Sequence, residues 1–187
     1  MAAWLLRAIT MENVSVRARG ATIELPAGPG YRLAREIKNV ITVAAKTCHY
    51  WQGHIPPAER FEIADLLEDM CAETPLLEPE HGVAPLSADH YAERAKATGL
   101  GPAARVYAGW MGLECPSVRA ALWMMRMLVA DNVLARREEA ALFVPVNRET
   151  DPDGSKVAAA VQRVQRFAVL KGVISATAAA AGGPEQA

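Results

Sequence analysis

The chain has 187 residues and a mass of 20.1 kDa, with 51% apolar and 22% charged residues. This composition excludes a disordered or fibrous protein, and a chain of this size can bury a core without disulfides or metals. Twenty basic and 21 acidic residues leave a formal charge of −1, so no overall field attracts the protein to nucleic acid or to an anionic membrane.

The first predicted module covers residues 1–73. Alternating side chains in residues 13–25 predict a β-hairpin that turns at Gly20, which can adopt a positive φ. After a break at 26–30, apolar residues at three- and four-residue steps predict a helix from Tyr31 to Gln52, closed by Gly53. Its predicted buried stripe is Leu33, Ile37, Val40, Ala44, Cys48 and Trp51.

A second helix of this module is predicted to begin at Pro56-Pro57 and to end at Thr74-Pro75. We expect its acidic residues to face outward and its apolar residues inward. The inward set is Phe61, Ile63, Leu66, Leu67 and Met70. Prolines and a glycine concentrate in residues 74–86, which predicts a linker.

The second half of the chain begins with a helix that Ser87 is expected to cap and Gly99 to end, and Pro102 is expected to start another helix. Two predicted strands, Val133–Arg137 and Ala141–Val146, flank the sequence Glu138-Glu139-Ala140. Asp151-Pro-Asp-Gly154 predicts a turn. The segment 148–177 then carries a helix at 155–171, and residues 178–187 predict a disordered tail.

Residues 104–123 predict two helices that meet at a tight turn. Ala108 would be the small side chain where the helices touch, and Gly112 would supply the positive φ of the turn. Val118 would anchor the second helix in the core. On that helix Arg119 and Arg126 lie seven residues apart, opposite the apolar arc and beside Trp123.

This pattern resembles the winged helix-turn-helix family of DNA-binding regulators, particularly its GntR-like and MarR-like branches. In that family a Val-Arg-x-Ala-Leu helix leads to a basic pair that opens a β-wing, and here Val118-Arg119-Ala-Ala121-Leu122 leads to Arg136-Arg137. Asn132 stands where the family usually has Gly, and the αL conformation tolerates Asn. The resemblance covers about residues 87–147.

The resemblance implies a mainly α, α+β fold, with a winged helix-turn-helix between the N-terminal hairpin and helix module and a C-terminal basic helix. It implies that the second helix docks on duplex DNA while the wing contacts phosphates. The predicted DNA-binding residues are Ser117, Arg119, Trp123, Arg126, Arg136 and Arg137. The leading hypothesis is therefore a cytoplasmic, non-catalytic transcriptional regulator that forms a homodimer, without a metal or other cofactor.

Two features of the same region favour a different function. Met124 and Met127 make the second helix apolar almost all round, as in a core or dimer helix, and Glu138-Glu139 would repel phosphates. The alternative hypothesis is a winged helix used as a protein-interaction module, a scaffold or adaptor that does not bind DNA.

The helix at 155–171 is basic and amphipathic. Its cations occur without an acidic residue, opposite a stripe formed by Val157, Val161, Val164 and Ala168. The cations are Lys156, Arg163, Arg166 and Lys171. The pattern fits a surface for a polyanion, and it also fits the solvated outer face of a packed or dimerising helix.

The charges are unevenly distributed along the chain. Residues 1–58 carry seven basic and three acidic residues, residues 59–93 one and ten, and residues 94–187 twelve and eight. The acidic middle can pair with the basic ends inside the protein, or the ends can face a polyanion. We also consider the segment 59–93 as a surface for a protein partner.

Three cysteines, Cys48, Cys71 and Cys115, lie far apart, which predicts a reducing compartment and buried thiols. The N-terminus lacks the pattern of a secretory signal, and no run approaches the roughly 20 apolar residues that span a bilayer. The cysteines and histidines match no compact zinc motif. A third hypothesis is a small thiol-dependent enzyme that uses Cys71 or a histidine.

Overall fold

The computed structural model describes residues 1–25 and 33–175, with only the backbone described for residues 33–36. The predicted break at 26–30, the predicted helix start at Tyr31 and the tail at 178–187 lie outside these residues. The chain divides into two compact units, residues 1–75 and 76–187. Six helices and two antiparallel sheets in the described residues give a mixed α+β fold.

Unit 1 consists of helix α1 (Ala2–Met11), the hairpin β1 (Arg17–Arg19) and β2 (Thr22–Glu24), helix α2 (Leu33–Gly53) and helix α3 (Pro57–Glu73). The predicted hairpin is confirmed, and Gly20 has φ +58° at its turn. Helix α1 was not predicted from the sequence. Its buried side packs on α2 to form a small core of Leu5, Ile9, Val14, Val40 and Val43.

The predictions about buried residues in unit 1 are only partly confirmed. On α2 the predicted burial of Val40 and Trp51 is confirmed, but Cys48 is exposed, and Val43 and Thr47, which were not predicted, are buried. The predicted side chain of Leu33 lies outside the described residues. The predicted bounds of α3 are confirmed, but its seventeen residues are all half-buried or exposed. Phe61 and Leu66, predicted to point inward, are exposed.

Unit 2 is built from α4 (Ala88–Thr98), β3 (Gly101–Pro102), β4 (Trp110–Glu114), α5 (Val118–Ala130), β5 (Arg136–Glu138), β6 (Ala141–Pro145) and α6 (Ser155–Leu170). The four strands form one antiparallel sheet in the order β3-β4-β6-β5. Helix α5 packs against β5, β6 and α6, while α4 packs against β3, β4 and α6.

The core of unit 2 combines one face of the sheet with the helices. Met111 pairs with Val144 and Leu113 with Leu142, so these four buried side chains share a face. The buried side of α5 consists of Ala120, Ala121, Met124, Met125, Leu128 and Val129. The predicted stripe of α6, formed by Val157, Val161, Val164 and Ala168, is confirmed as buried.

The predicted helix-turn-helix is not formed. Pro102, expected to start a helix, lies in strand β3, and residues 110–114, expected at the end of the first helix and in its turn, form strand β4. Gly112 lies inside β4, opposite Phe143 of β6, and the positive φ belongs to Gly109. Val118 is half exposed rather than a core anchor. The apolar run around Gly112 fits either period, and pairing with β6 selects the strand.

Several local predictions in unit 2 are confirmed. Gly99 ends α4 in the αL conformation, and Asn132 also has a positive φ, of +61°. The predicted hairpin around Glu138-Glu139-Ala140 is formed by β5 and β6. At the Asp151–Gly154 turn, the Asp151 carboxylate accepts from the N–H groups of Lys156 and Val157 at 3.0 Å each, which caps the start of α6.

The segment 74–86, predicted as a linker, is largely built into unit 2. Leu77 N–H donates to the Asn132 carbonyl at 2.8 Å, and Leu134 N–H donates to the Leu77 carbonyl at 2.9 Å. Glu80 N–H donates to the Val146 carbonyl at 3.0 Å. These bonds hold the chain beside β5 and β6, and Leu77 is buried.

Gly112 is expected to tolerate no side chain. A Cβ at this position would lie 2.8 Å from Phe143 Cε1, 2.9 Å from Ala103 Cβ and 3.0 Å from the Tyr91 hydroxyl. We predict that Gly112→Ala lowers the free energy of unfolding by about 2 kcal/mol, because the packed sheet must shift. Urea unfolding would measure the loss.

Gly101→Ala is the matched control, because a Cβ at Gly101 has no heavy atom within 4 Å. We expect it to change stability by less than about 0.5 kcal/mol. Equal stabilities for the two variants would show that the close approach at Gly112 is absent.

Candidate functional site

Four of the six predicted DNA-binding residues lie on or next to α5. Ser117 caps this helix, since its Oγ accepts from the Ala120 N–H at 3.1 Å. Arg119 and Arg126 are exposed. Trp123 is half-buried, with its ring centroid 5.9 Å from that of Phe167 on α6. The outward position of the two arginines, predicted from their spacing, is therefore confirmed.

Arg136, predicted to contact phosphates from a wing, is held by the protein itself. Its guanidinium lies 4.5 Å from the Tyr107 ring centroid, 4.6 Å from that of Phe143 and 5.4 Å from that of Trp110. It also donates to Glu138 Oε1 at 2.8 Å. Since the cation is already stacked and paired, it is not presented to a ligand in the predicted way.

Arg137 differs from its predicted role as well. It is half-buried, and its Nη1 donates to the Glu139 carbonyl at 3.2 Å. In the ladder it stands opposite Leu142, whereas Arg136 stands opposite Phe143, so the two arginines point to different faces of the sheet. The basic pair therefore does not act as one cationic unit.

Glu138 organises a polar cluster on the sheet face that carries Phe143. Its Oε2 accepts from Arg105 Nη1 at 2.6 Å and from the Tyr107 hydroxyl at 3.0 Å, while Oε1 accepts from Arg136. Partial burial raises the pKa of the Glu138 carboxyl, but the hydrogen bonds from Arg105, Arg136 and Tyr107 together hold the pKa below its ordinary value.

A groove lies between α5 and α6, away from that cluster. Its volume is about 420 Å³, and its apolar walls come from Met127 and Ala130 on α5 and from Val164, Phe167 and Leu170 on α6. Leu170 is 80% exposed and Phe167 40% exposed. Arg163 and Arg166 form part of the rim, and Arg163 also pairs with Asp131.

The two helices that form the groove carry only positive charge. Arg119 and Arg126 belong to α5, and Lys156, Arg163 and Arg166 belong to α6, without an acidic residue in either helix sequence. Lys171 follows α6 directly, with its ammonium 5.4 Å from the Phe167 ring centroid. The result is an apolar groove whose rim is largely cationic, with Asp131 as the acidic residue of its lining.

Met127, Phe167 and Leu170 were not among the predicted site residues. The sequence did contain a signal for Leu170, because it follows Arg163 and Arg166 at steps of three and four residues. These residues form a second strip on α6, beside the buried valine stripe. The packing of α5 decides which strip of α6 is covered by another helix. Residue spacing in the sequence does not predict that packing.

The cysteines and histidines do not gather into one site in the described residues. Cys71 accepts from Arg7 Nη2 at 3.1 Å, while the rings of His49 and His54 contact each other with centroids 5.3 Å apart. Cys115 is buried as predicted, and burial raises its pKa to about 12. Within residues 1–25 and 33–175, no three metal-ligating side chains converge and no helix could cross a membrane.

The Glu138 cluster makes the stability of unit 2 dependent on pH. A carboxyl whose pKa is lowered by folding stabilises the protein above its unfolded pKa, near 4.5, and this stabilisation disappears as the pH falls through the folded pKa. We predict that Glu138→Gln costs about 1 kcal/mol near neutral pH, with the difference shrinking as the pH falls below 4.5 and through the lowered pKa of Glu138 in the folded protein.

Urea unfolding across this pH range would measure the difference, and Glu139→Gln serves as the control because Glu139 is exposed beside Glu138. A Glu138→Gln deficit that stays constant with pH would show that the cluster does not depend on the carboxylate charge.

Comparison with protein-family models, with curated proteins and with solved structures gives no match for this chain. The surfaces described above are interpreted from their own geometry and charge.

Proposed function

We propose that unit 2 is a non-catalytic binding module whose α5–α6 groove accepts an acidic, amphipathic helix from a partner protein. The observation that carries this proposal is the combination of exposed apolar walls and a cationic rim in one groove. A helix in a groove is a common form of recognition, in which apolar anchors enter the groove and charged residues pair at its edges.

The apolar part of the groove supports a protein partner. Leu170 and Phe167 are large apolar side chains that water contacts in the isolated chain. Burying a side chain of this size contributes about 1.5–3 kcal/mol, so an apolar partner surface gains affinity there. Phosphate groups would gain nothing from the same walls.

The charges define the chemistry of the partner. Arg163 and Arg166 at the rim favour carboxylates, which arginine binds through two parallel hydrogen bonds. They also disfavour a symmetric pairing of two α5–α6 faces, since that contact would bring like charges together. The groove therefore fits an acidic partner surface better than the α5–α6 face of a second copy.

A synthetic acidic amphipathic peptide, labelled with a fluorophore, would test the apolar part of this function. We predict that Leu170→Ser weakens its binding at least about tenfold in fluorescence anisotropy titrations. Because Leu170 is 80% exposed, the substitution should leave folding unchanged. Val118→Ser is the control, since Val118 is half exposed at the other end of α5.

The charge of the rim is tested with the same peptide. Arg166→Gln should weaken binding and reduce its salt dependence, whereas Arg119→Gln should have little effect because Arg119 does not line the groove. If Leu170→Ser and Val118→Ser bind equally well, or if a scrambled peptide of equal charge binds as tightly, the groove is not the binding site.

A second candidate function is binding of duplex DNA, as the resemblance to winged helix-turn-helix regulators implies. One observation favours it: five basic and no acidic residues on two adjacent helices, with Arg119 and Arg126 exposed. Without the helix-turn-helix, phosphates would meet the outer surface of α5 and α6 directly, and Trp123 would lie beside them. The protein would then act as a transcriptional regulator.

Random-sequence duplex DNA is the probe for this second function. We predict, if it operates, that the double variant Arg119→Ala/Arg126→Ala lowers the slope of log affinity against log salt by about two. Leu170→Ser should bind DNA as the unmodified protein does. An absence of retention at low salt, measured by electrophoretic mobility, would remove DNA as the ligand.

A further inference from the structure

We propose that the helix accepted by the α5–α6 groove is α3 of a second copy of this chain. This inference rests on the groove function proposed above and names the partner. It follows from the exposed residues of α3, from their charge and from a matching order of residues on α3 and α6.

Helix α3 combines acidic and exposed apolar residues, as the proposed partner of the groove does. It contains six acidic residues and one basic residue, and it exposes Phe61 and Leu66, of which Phe61 is 73% exposed. An exposed phenylalanine on an acidic helix has the chemistry of an anchor that a basic, apolar groove would bury.

The relevant strip of α3, here called the Phe61 edge, consists of Ala58, Phe61, Asp65, Glu68 and Ala72. Steps of three and four residues place all five on one side of the helix, and all five are exposed. Along the axis, Asp65 lies about 6 Å and Glu68 about 10 Å beyond Phe61. The edge therefore presents an aromatic side chain followed by two carboxylates.

Helix α6 carries a strip with the matching order, here called the Leu170 edge. It consists of Ala159, Arg163, Arg166 and Leu170, all exposed and again spaced by three or four residues. From Leu170 back along the helix, Arg166 is about 6 Å away and Arg163 about 10 Å. An apolar side chain is thus followed by two guanidinium groups at the same intervals as on α3.

An antiparallel arrangement of the two edges places complementary residues together. Phe61 of one copy meets Leu170 of the other and enters the groove, and Asp65 meets Arg166. Glu68 meets Arg163, which it would share with Asp131, the carboxylate that Arg163 already pairs with. Ala72 then faces Ala159, and two alanines allow the helices to approach closely.

The same intervals also align the charges in a parallel arrangement. That arrangement, however, puts Phe61 beside Ala159, one turn beyond Arg163 and outside the groove. The antiparallel arrangement alone buries the aromatic anchor, and it also pairs the helix dipoles favourably.

Because the Phe61 edge and the groove are different surfaces, we infer a two-fold homodimer with two such contacts, in which each copy supplies its Phe61 edge to the groove of the other. This dimer avoids the like-charge contact that a face-to-face pairing of the basic surfaces would produce.

The test is a charge exchange in the full-length chain. Asp65→Arg removes the net negative charge of the Phe61 edge and reverses its charge at residue 65, and Arg166→Glu removes the net positive charge of the Leu170 edge and reverses its charge at residue 166; both sites are exposed. Sedimentation velocity at low salt should find the unmodified chain dimeric and each single variant at least about tenfold weaker in self-association. An equimolar mixture of the two variants should restore dimers, because Arg at 65 then meets Glu at 166 across the copies.

Matched controls separate this contact from general charge effects. Glu62→Arg changes the same helix by the same charge but lies off the Phe61 edge, and Arg119→Glu does the same for unit 2 away from the groove. Both should dimerise as the unmodified chain does. Phe61→Ser should also weaken the dimer, and circular dichroism would show that each variant is folded.

Four outcomes would overturn the inference: an unmodified chain that stays monomeric at about 100 μM, a dimer insensitive to Asp65→Arg and Arg166→Glu, controls that weaken self-association equally, or a mixture that does not restore association. If the synthetic peptide binds the groove while the protein stays monomeric, the groove function stands and only the identity of the partner is wrong.

Discussion

The packing of α5 against both the sheet and α6 determines what unit 2 can offer a partner. Its buried side, centred on Met124, Met125 and Leu128, is covered by these neighbours. A helix held in this way does not project from the protein as a recognition helix does. It contributes instead one wall of a groove whose other wall is α6, and the binding function proposed above rests on the residues at the junction of the two helices.

The part of the fold that could be predicted from the sequence is the part set by local rules. Gly20, Gly99 and Asn132 adopt the positive φ values that their residue types allow, and Asp151 caps the helix that follows its turn. Residues 101–114 were misassigned because their apolar and small residues fit either a helix or a strand. The deciding interaction, pairing of Trp110–Glu114 with β6, joins segments about thirty residues apart.

The residues of the candidate site were likewise predicted correctly only where local rules decide their position. Seven-residue spacing correctly placed Arg119 and Arg126 on the outside of α5, because burial of a helix follows its period. Arg136 was misjudged because its partners, Tyr107 and Phe143, come from other parts of the chain. The exposed apolar residues of α3 were missed for a related reason. An apolar residue on a helix is buried only where another element covers that side of the helix, and none of the described residues fully covers Phe61.

A formal charge near zero conceals two surfaces of opposite charge. Helix α3 carries six acidic residues and one basic residue, whereas the charged residues of α5 and α6 are all basic, so the proposed attraction between copies requires unlike surfaces to meet and like surfaces to stay apart. Charge alone would accept any polyanion, including DNA. The apolar side chains Phe167 and Leu170 add the discrimination, because their burial rewards a partner that combines carboxylates with an apolar anchor. In the proposed function, a single groove would therefore distinguish a helix such as α3 from nucleic acid, because phosphates are unable to make the apolar contact.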